Sequence, residues 1–338
     1  MASLIQFLTK TLTVGVTVIV ICGIIFLANP TSAHAYSTNG VPVLYVHGFN
    51  PNAAIPGGCN AGSNFGTIRS YLQNTSGWTG SLVSLGYYNG DYNCDGYLSW
   101  ESYRCTGWYP GNEGTTNEDL RHLSCELAWY IWDHYTVNGT PVKVIAHSLG
   151  GILIRQALND TPYIPQLPPY ITVEDVVTAG SPHQGVKPGS AFFVCNCWQI
   201  AQTELGNALM QNLNSVSFRG GFARNPQGNT GTDWTTMASD YDSTLNLGVF
   251  PLALETLGIN RPIDHPAGLD GMMPGAKHFV VYSGPTPQYD HGDYLTDTNQ
   301  DWSARVDYSD NNGGSWVQTT TMAHSIKTMA FAIGSLYW

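Results

Sequence analysis

The amino-acid sequence predicts an α/β fold, with a mainly parallel, doubly wound sheet and helices on both of its faces. Three observations predict it. Short runs rich in Val and Ile recur along the chain, and each reads as a buried strand. Stretches with apolar residues three and four apart separate them, and these read as helices. At Val142–Leu158, VKVIAHSLGGILIRQAL, a β-branched run passes into a helical pattern with almost no loop and a serine at the corner. Strands that alternate with helices argue for parallel neighbours.

The elements follow in order. VPVLYVHGFNP (Val41–Pro51) is an apolar strand that ends in His-Gly, and SNFGTIRSYLQ is a short capped helix. TGSLVSLGYY is a second strand. In TTNEDLRHLSCELAWYIWDHY, Leu120, Leu123, Leu127 and Ile131 fall on one helical face. After the strand and helix around Ser148 comes ITVEDVVTAGSPHQG, a strand that ends in Gly-Ser-Pro. CWQIAQTELGNALMQNLN reads as one helix, GTDWTTMASDYDS holds a shorter strand, GAKHFVVYSG a last strand, and MAHSIKTMAFAIGSLYW a closing helix. The irregular stretch Leu245–Pro274 is too long for an ordinary connection and reads as an inserted, lid-like region. No internal repeat or linker divides 36–338, which reads as one domain.

Composition narrows the classes. Charged residues make up 11% of the chain and the net charge is -11. No Lys/Arg block exists to track a phosphate backbone, so a nucleic-acid partner is not expected. MASLIQFLTK carries the single charge of Lys10, the run Thr11–Ala28 is apolar, and Ala33-His34-Ala35 has the small-x-small pattern of a signal-peptidase site. Residues 1–35 are therefore expected to be a cleaved signal peptide, leaving a secreted, extracellular protein with no stable membrane anchor. An uncleaved anchor is the alternative, since about 18 apolar residues just span a bilayer. Of seven cysteines, Cys22 leaves with the signal. An even set remains, Cys59, Cys94, Cys105, Cys125, Cys195 and Cys197, which reads as disulfides. Cys94 and Cys105 bracket a short Gly/Tyr loop and are the favoured pair. No Cys-x2-Cys or His-x3-His set completes a zinc site, and no metal is expected. The Asp-rich run Asp290–Asp301 lacks the spacing of a calcium loop and reads as solvated.

The corner serine carries the chemistry. Ligands bind outside the carboxyl ends of strands in an open parallel sheet. A serine on a sharp turn there lifts its hydroxyl above the sheet, and the following helix aims its N-terminal N–H groups at charge that forms beside it. The turn needs small residues two positions to either side, and Ala146 and Gly150 supply them. This is the nucleophile-elbow pattern, with Ala in the first glycine position.

Through YVHGF, AHSLGG, TAGSPHQG and WTTMASDYDS, the chain resembles the α/β-hydrolase superfamily, and within it the secreted small bacterial lipases, from Val41 to about Asp297. The resemblance implies an α/β-hydrolase fold, ester hydrolysis by a serine nucleophile, and no cofactor. It makes Ser148 the nucleophile and the backbone N–H groups of Phe49 and Leu149 the oxyanion hole. Chain order in this fold is Ser, then Asp or Glu, then His. Asp242 takes the acid's place two residues beyond the Ser239-Asp240 step, with Asp240 as the alternative because it lies nearer the strand. His291 is the base, and His324 competes with it. If His324 served, the acid would move to the Asp290–Asp293 loop. His47 and His183 are placed near the rim of the site, His183 as a structural element, and His147 beside the nucleophile. The partner is an acyl ester or lipid, at a lipid–water interface in the lipase reading. A polymer-ester depolymerase or acyltransferase on the same triad, and a binding protein on an inactive scaffold, stay open.

Overall fold

β1 (Val43–Val46) shows why the strands read as unbroken apolar runs. All four residues are buried, and successive side chains face opposite layers. Leu44 and Val46 enter one core, Val43 and Tyr45 the other. A strand covered on both faces has no polar side to show. The computed structural model describes residues 40–51, 57–161, 163–186, 195–214, 231–239, 242, 276, 278–282, 290–298, 306–308, 317–319 and 324–334. The expected signal peptide, 1–35, and the expected lid, 245–274, lie outside the described residues.

The remaining strands are β2 (Gly57–Gly58), β3 (Leu82–Gly86), β4 (Asp91–Tyr92), β5 (Gly96–Tyr97), β6 (Val142–His147), β7 (Val173–Ala179), β8 (Asp233–Ser239), β9 (His278–Tyr282), β10 (Val306–Tyr308) and β11 (Val317–Thr319). One seven-stranded sheet runs β5-β3-β1-β6-β7-β8-β9. Every neighbour in it is parallel. β10 and β11 form a separate antiparallel pair that the sequence pattern had not suggested. From β1 the chain moves outward to β3 and later returns to lay β6 on the other side. The order therefore reverses between β1 and β6, and a crevice opens at the carboxyl ends of that pair.

The helices are α1 (Gly66–Asn74), α2 (Leu120–His134), α3 (Leu149–Asp160), α4 (Trp198–Thr203), α5 (Ala208–Asn214), α6 (Asp293–Thr296) and α7 (Ser325–Gly334). α2, α3 and α5 pack into one core, with Leu120, Leu123, Leu127 and Ile131 buried as their spacing requires. α1, α6 and α7 cover the other face. The doubly wound arrangement expected from the sequence is the one observed. Among the described residues, no helix is long and apolar enough to cross a membrane.

Three details differ from the sequence reading. The helix expected over 197–214 is two helices. Leu205 N–H instead donates to Val186 O, and Gly206 takes φ +93°, which breaks the helical path. α3 is not amphipathic, for every residue in it is buried. Its Arg155 survives there because the guanidinium donates to the carbonyls of His183 and Leu213 and to Asn214 Oδ1, while burial pulls its pKa down to about 9. The Cys94–Cys105 pairing is also wrong. Cys94 bonds Cys59, Cys105 bonds Cys125, and Cys195 bonds Cys197. Proximity in sequence misled here: a 3-10 helix, Leu98–Arg104, carries Cys105 away from Cys94 and sets it against α2.

Candidate active site

The crevice between β1 and β6 is built from backbone outward. Ser148 has φ 54° and ψ −124°, a conformation that a residue with a side chain rarely holds. The neighbours make it possible. A Cβ on Gly150 would collide with the carbonyl of Val46, so the turn can hug β1 only with glycine there. A Cβ on Gly48 would lie 2.6 Å from Ser148 Cβ and 3.2 Å from its Oγ. Ser148 N–H donates to Ala179 O at 2.9 Å, which ties the corner to β7.

Leu149 is the first residue of α3, so its N–H has no carbonyl partner within the helix. Phe49 follows the His-Gly step after β1. A cavity of about 300 Å³ is lined by Gly48, Phe49, Ser148, His291 and Leu295 among others. That is near the lower end of small-molecule sites.

Asp242 and His291 meet although 49 residues separate them. His291 Nδ1 donates to Asp242 Oδ2 at 2.6 Å, and Asp242 is wholly buried. Among the described residues no hydrogen bond engages His291 Nε2, which stays available above the cavity. Gly180, at φ +58°, clears the space behind the pair: a Cβ there would lie 3.1 Å from His291 Nδ1 and 3.2 Å from Asp242 Oδ2. The glycine of TAGSP thus has a local reason.

Asp240 lies outside the described residues. Asp290 and Asp293 spend their carboxylates on the turn that carries His291: Asp290 Oδ1 accepts from His291 N–H, and Asp293 Oδ2 from Asp290 N–H, both at 2.8 Å. His324 stands at the start of α7, where its Nδ1 accepts from Lys327 N–H at 3.1 Å, and it is not among the cavity's lining residues. His183 is not at the rim as expected. It is fully buried, within 2.9 Å of Thr178 Oγ1, and burial followed by the Arg155 charge holds it neutral.

Two supports were not anticipated. His147 Nε2–H donates to His291 O at 3.0 Å, so the residue before Ser148 steadies the turn that carries His291. Burial, then the neighbouring His291, keeps His147 neutral. His47 forms a second His–Asp pair. Its Nε2 lies 2.9 Å from Asp91 Oδ2 and its Nδ1 2.8 Å from Gly48 O, while its ring stacks on Tyr87 at 4.1 Å. The same Asp91 oxygen accepts from Tyr87 and Tyr88 N–H, and Tyr87 O–H donates to His47 O. Burial works against the Asp91 carboxylate, but these donors outweigh it and lower its pKa. His47, Cys59 and Asp91 are close enough together for a metal, but Cys59 is committed to its disulfide.

No family model and no curated protein matches the chain. Solved structures give distant likenesses. Bacillus licheniformis lipase BlEst2 in its mature form is 15% identical, with 76% of this chain and 87% of that one covered and a TM-score of 0.41. A gene product of Listeria innocua is 14% identical, with 88% and 96% covered and a TM-score of 0.40. Aspergillus fumigatus lipase B is 18% identical with a TM-score of 0.37; 62% of this chain is covered, and it spans only 40% of that lipase. The chain's own strand order, the switch between β1 and β6, and the strained serine turn that joins β6 to α3 are those of the α/β-hydrolase fold.

Proposed function

We propose that the protein is a secreted serine hydrolase of carboxylic esters, in its narrower form a lipase. The observation that carries the reading is the Asp242–His291 pair beside the strained Ser148, both serine and histidine lining one cavity. Ser148 Oγ attacks the ester carbonyl carbon while His291 Nε2 takes its proton. Asp242 holds the imidazole in the tautomer with Nδ1 protonated. The N–H groups of Phe49 and Leu149 receive the oxyanion. The intermediate collapses, the C–O bond breaks, and His291 returns the proton to the departing alcohol. Water repeats the sequence on the acyl-enzyme and releases the acid. Nothing in these steps requires a cofactor.

Export is supported by the small-x-small site after the apolar leader and by an even set of paired cysteines. An acyl ester or lipid suits a cavity lined by Phe49, Pro51 and Leu295. The test is a fluorophosphonate label followed by peptide mapping, run beside hydrolysis of nitrophenyl esters of increasing chain length. Label on Ser148 and turnover of at least one ester are expected. A folded protein that takes no label and cleaves no ester would be a binding scaffold, and the reading would fall. Acyl transfer to an added alcohol or release from a polyester would instead redirect the same triad.

A further inference from the structure

α2 carries a second buried polar cluster, away from the Ser148 cavity. Glu118, His122 and Glu126 recur at a spacing of four and so share one side of the helix and its N-terminal approach. They are 1%, 3% and 1% exposed. Each brings one atom to a common point: Glu118 Oε1, His122 Nε2 and Glu126 Oε1 make no hydrogen bond, although all three are shut off from solvent. Unmatched atoms of this kind are costly, at about 1–3 kcal/mol for a neutral group and more for a charged one. Three together, converging, need a common partner.

We infer that Glu118, His122 and Glu126 form a structural site for a divalent transition metal, with Zn²⁺ as the best chemical fit. Their donor atoms all lie within 4.8 Å of one another, and His122 Nε2 is 3.5 Å from Glu126 Oε1. Zinc holds nitrogen and carboxylate donors at about 2.0–2.2 Å, which sets neighbouring donors roughly 3.4 Å apart. One imidazole and two carboxylates suit zinc better than calcium, which takes six to eight oxygens. Two carboxylates also balance the ion's charge.

The surroundings are those of a ligand set held in place. His122 Nδ1 lies 2.9 Å from Trp108 O and 3.2 Å from Tyr109 O. Carbonyls only accept, so Nδ1 carries a proton, and Nε2 is the nitrogen that faces the carboxylates. Gly114 N–H donates to Glu118 Oε2 at 2.9 Å, which orients the other oxygen inward. Gly111 covers the imidazole, and a Cβ there would lie 3.0 Å from His122 Nε2. A bound ion would pin the 108–118 loop to α2, beside the Cys105–Cys125 bridge.

The experiment uses the full secreted chain, loaded with excess Zn²⁺ and desalted. Elemental analysis should find about one zinc per chain. Dipicolinate should strip it and lower Tm by roughly 5 °C or more, reversed by adding Zn²⁺. Co²⁺ in its place should give the visible absorption of a nitrogen–oxygen site. His122→Asn and, should that variant not fold, Glu126→Gln should lose both the metal and the chelator-sensitive part of Tm. The inference is overturned if the wild-type protein retains less than about a tenth of an equivalent, if Tm ignores the chelator, or if a folded variant keeps the wild-type metal content.

Discussion

Two His–Asp pairs flank the same serine, and they differ in what they leave unused. His291 binds Asp242 through Nδ1 alone and keeps Nε2 available at the cavity. His47 has both ring nitrogens engaged, one with Asp91 and one with Gly48 O, and is stacked on Tyr87. A general base needs a vacant nitrogen within reach of the proton it removes. The first pair can therefore serve as base and orienter. The second can only brace, and what it braces is the His47-Gly48-Phe49 turn that carries one of the N–H groups proposed for the oxyanion. Proximity to Ser148 is thus a poor guide to role; unused hydrogen-bonding capacity is a better one.

The strongest way to break this contrast is to remove the two histidines separately. His291→Ala should lower kcat on a soluble ester by about 10⁴-fold or more, matching Ser148→Ala, because the members of the proposed triad would act as a unit. His47→Ala should cost roughly tenfold to a hundredfold, since it only loosens the turn that carries the proposed oxyanion N–H. If His47→Ala silenced a folded enzyme while His291→Ala left it near wild type, the roles would have to be exchanged.

The carboxylates sharpen the contrast in a second currency, stability. Asp242→Asn should reduce kcat by on the order of a hundredfold or more, with little change in Tm. Asp91→Asn should do the opposite, costing about 2 kcal/mol of stability because one charged oxygen gathers three donors. The Asp91 pKa is lowered from 3.8 in the folded state. Its contribution is therefore fully present above that value and is lost as pH falls through the lower, folded-state pKa. Denaturant midpoints of wild type and Asp91→Asn should differ most at neutral pH and converge in strong acid. A gap that widened in acid would reverse the assigned sign.

A smaller effect tests the backbone between the pairs. Gly48→Ala would bring a Cβ to 2.6 Å from Ser148 Cβ. A loss of about 1–3 kcal/mol is expected from the overpacking, with kcat reduced more than KM is raised. Unchanged stability and kinetics would show that the corner has more room than its geometry implies. The smallest effect belongs to His324→Ala, less than about twofold in kcat, because the residue caps α7 away from the cavity. Loss of turnover in that variant would return the base to the C-terminal helix.

Much of the fold was legible because its signals are local. Val43–Val46 and Val142–Ile145 are β-branched or apolar runs of strand length, and the leucines of α2 repeat at helical spacing. The corner at Ser148 was legible because its small neighbours form a short pattern, although the collision that requires glycine at 150 is with the Val46 and His47 carbonyls, distant in sequence. Asp242 and His291 were named from a resemblance in motif, and no local pattern separated them from Asp240 or His324. The break between α4 and α5 was missed because Leu205 bonds to Val186, a partner distant in sequence. The Glu118–His122–Glu126 repeat was visible all along as a spacing of four, yet spacing alone does not say whether a helix face is wet or dry.

The sequence by itself determined the alternation of strand and helix, the position of the strained serine, and the oxidised state expected of its cysteines. The first two show as patterns of residues a few positions apart, and the third follows from an even cysteine count behind an apolar leader. Only the tertiary structure decided which cysteines pair, which histidine keeps a vacant nitrogen, and which polar side chains are sealed from water. Those outcomes depend on distance and burial in space, and the sheet order creates both, as where Asp242 and His291 meet beside the β6–α3 corner.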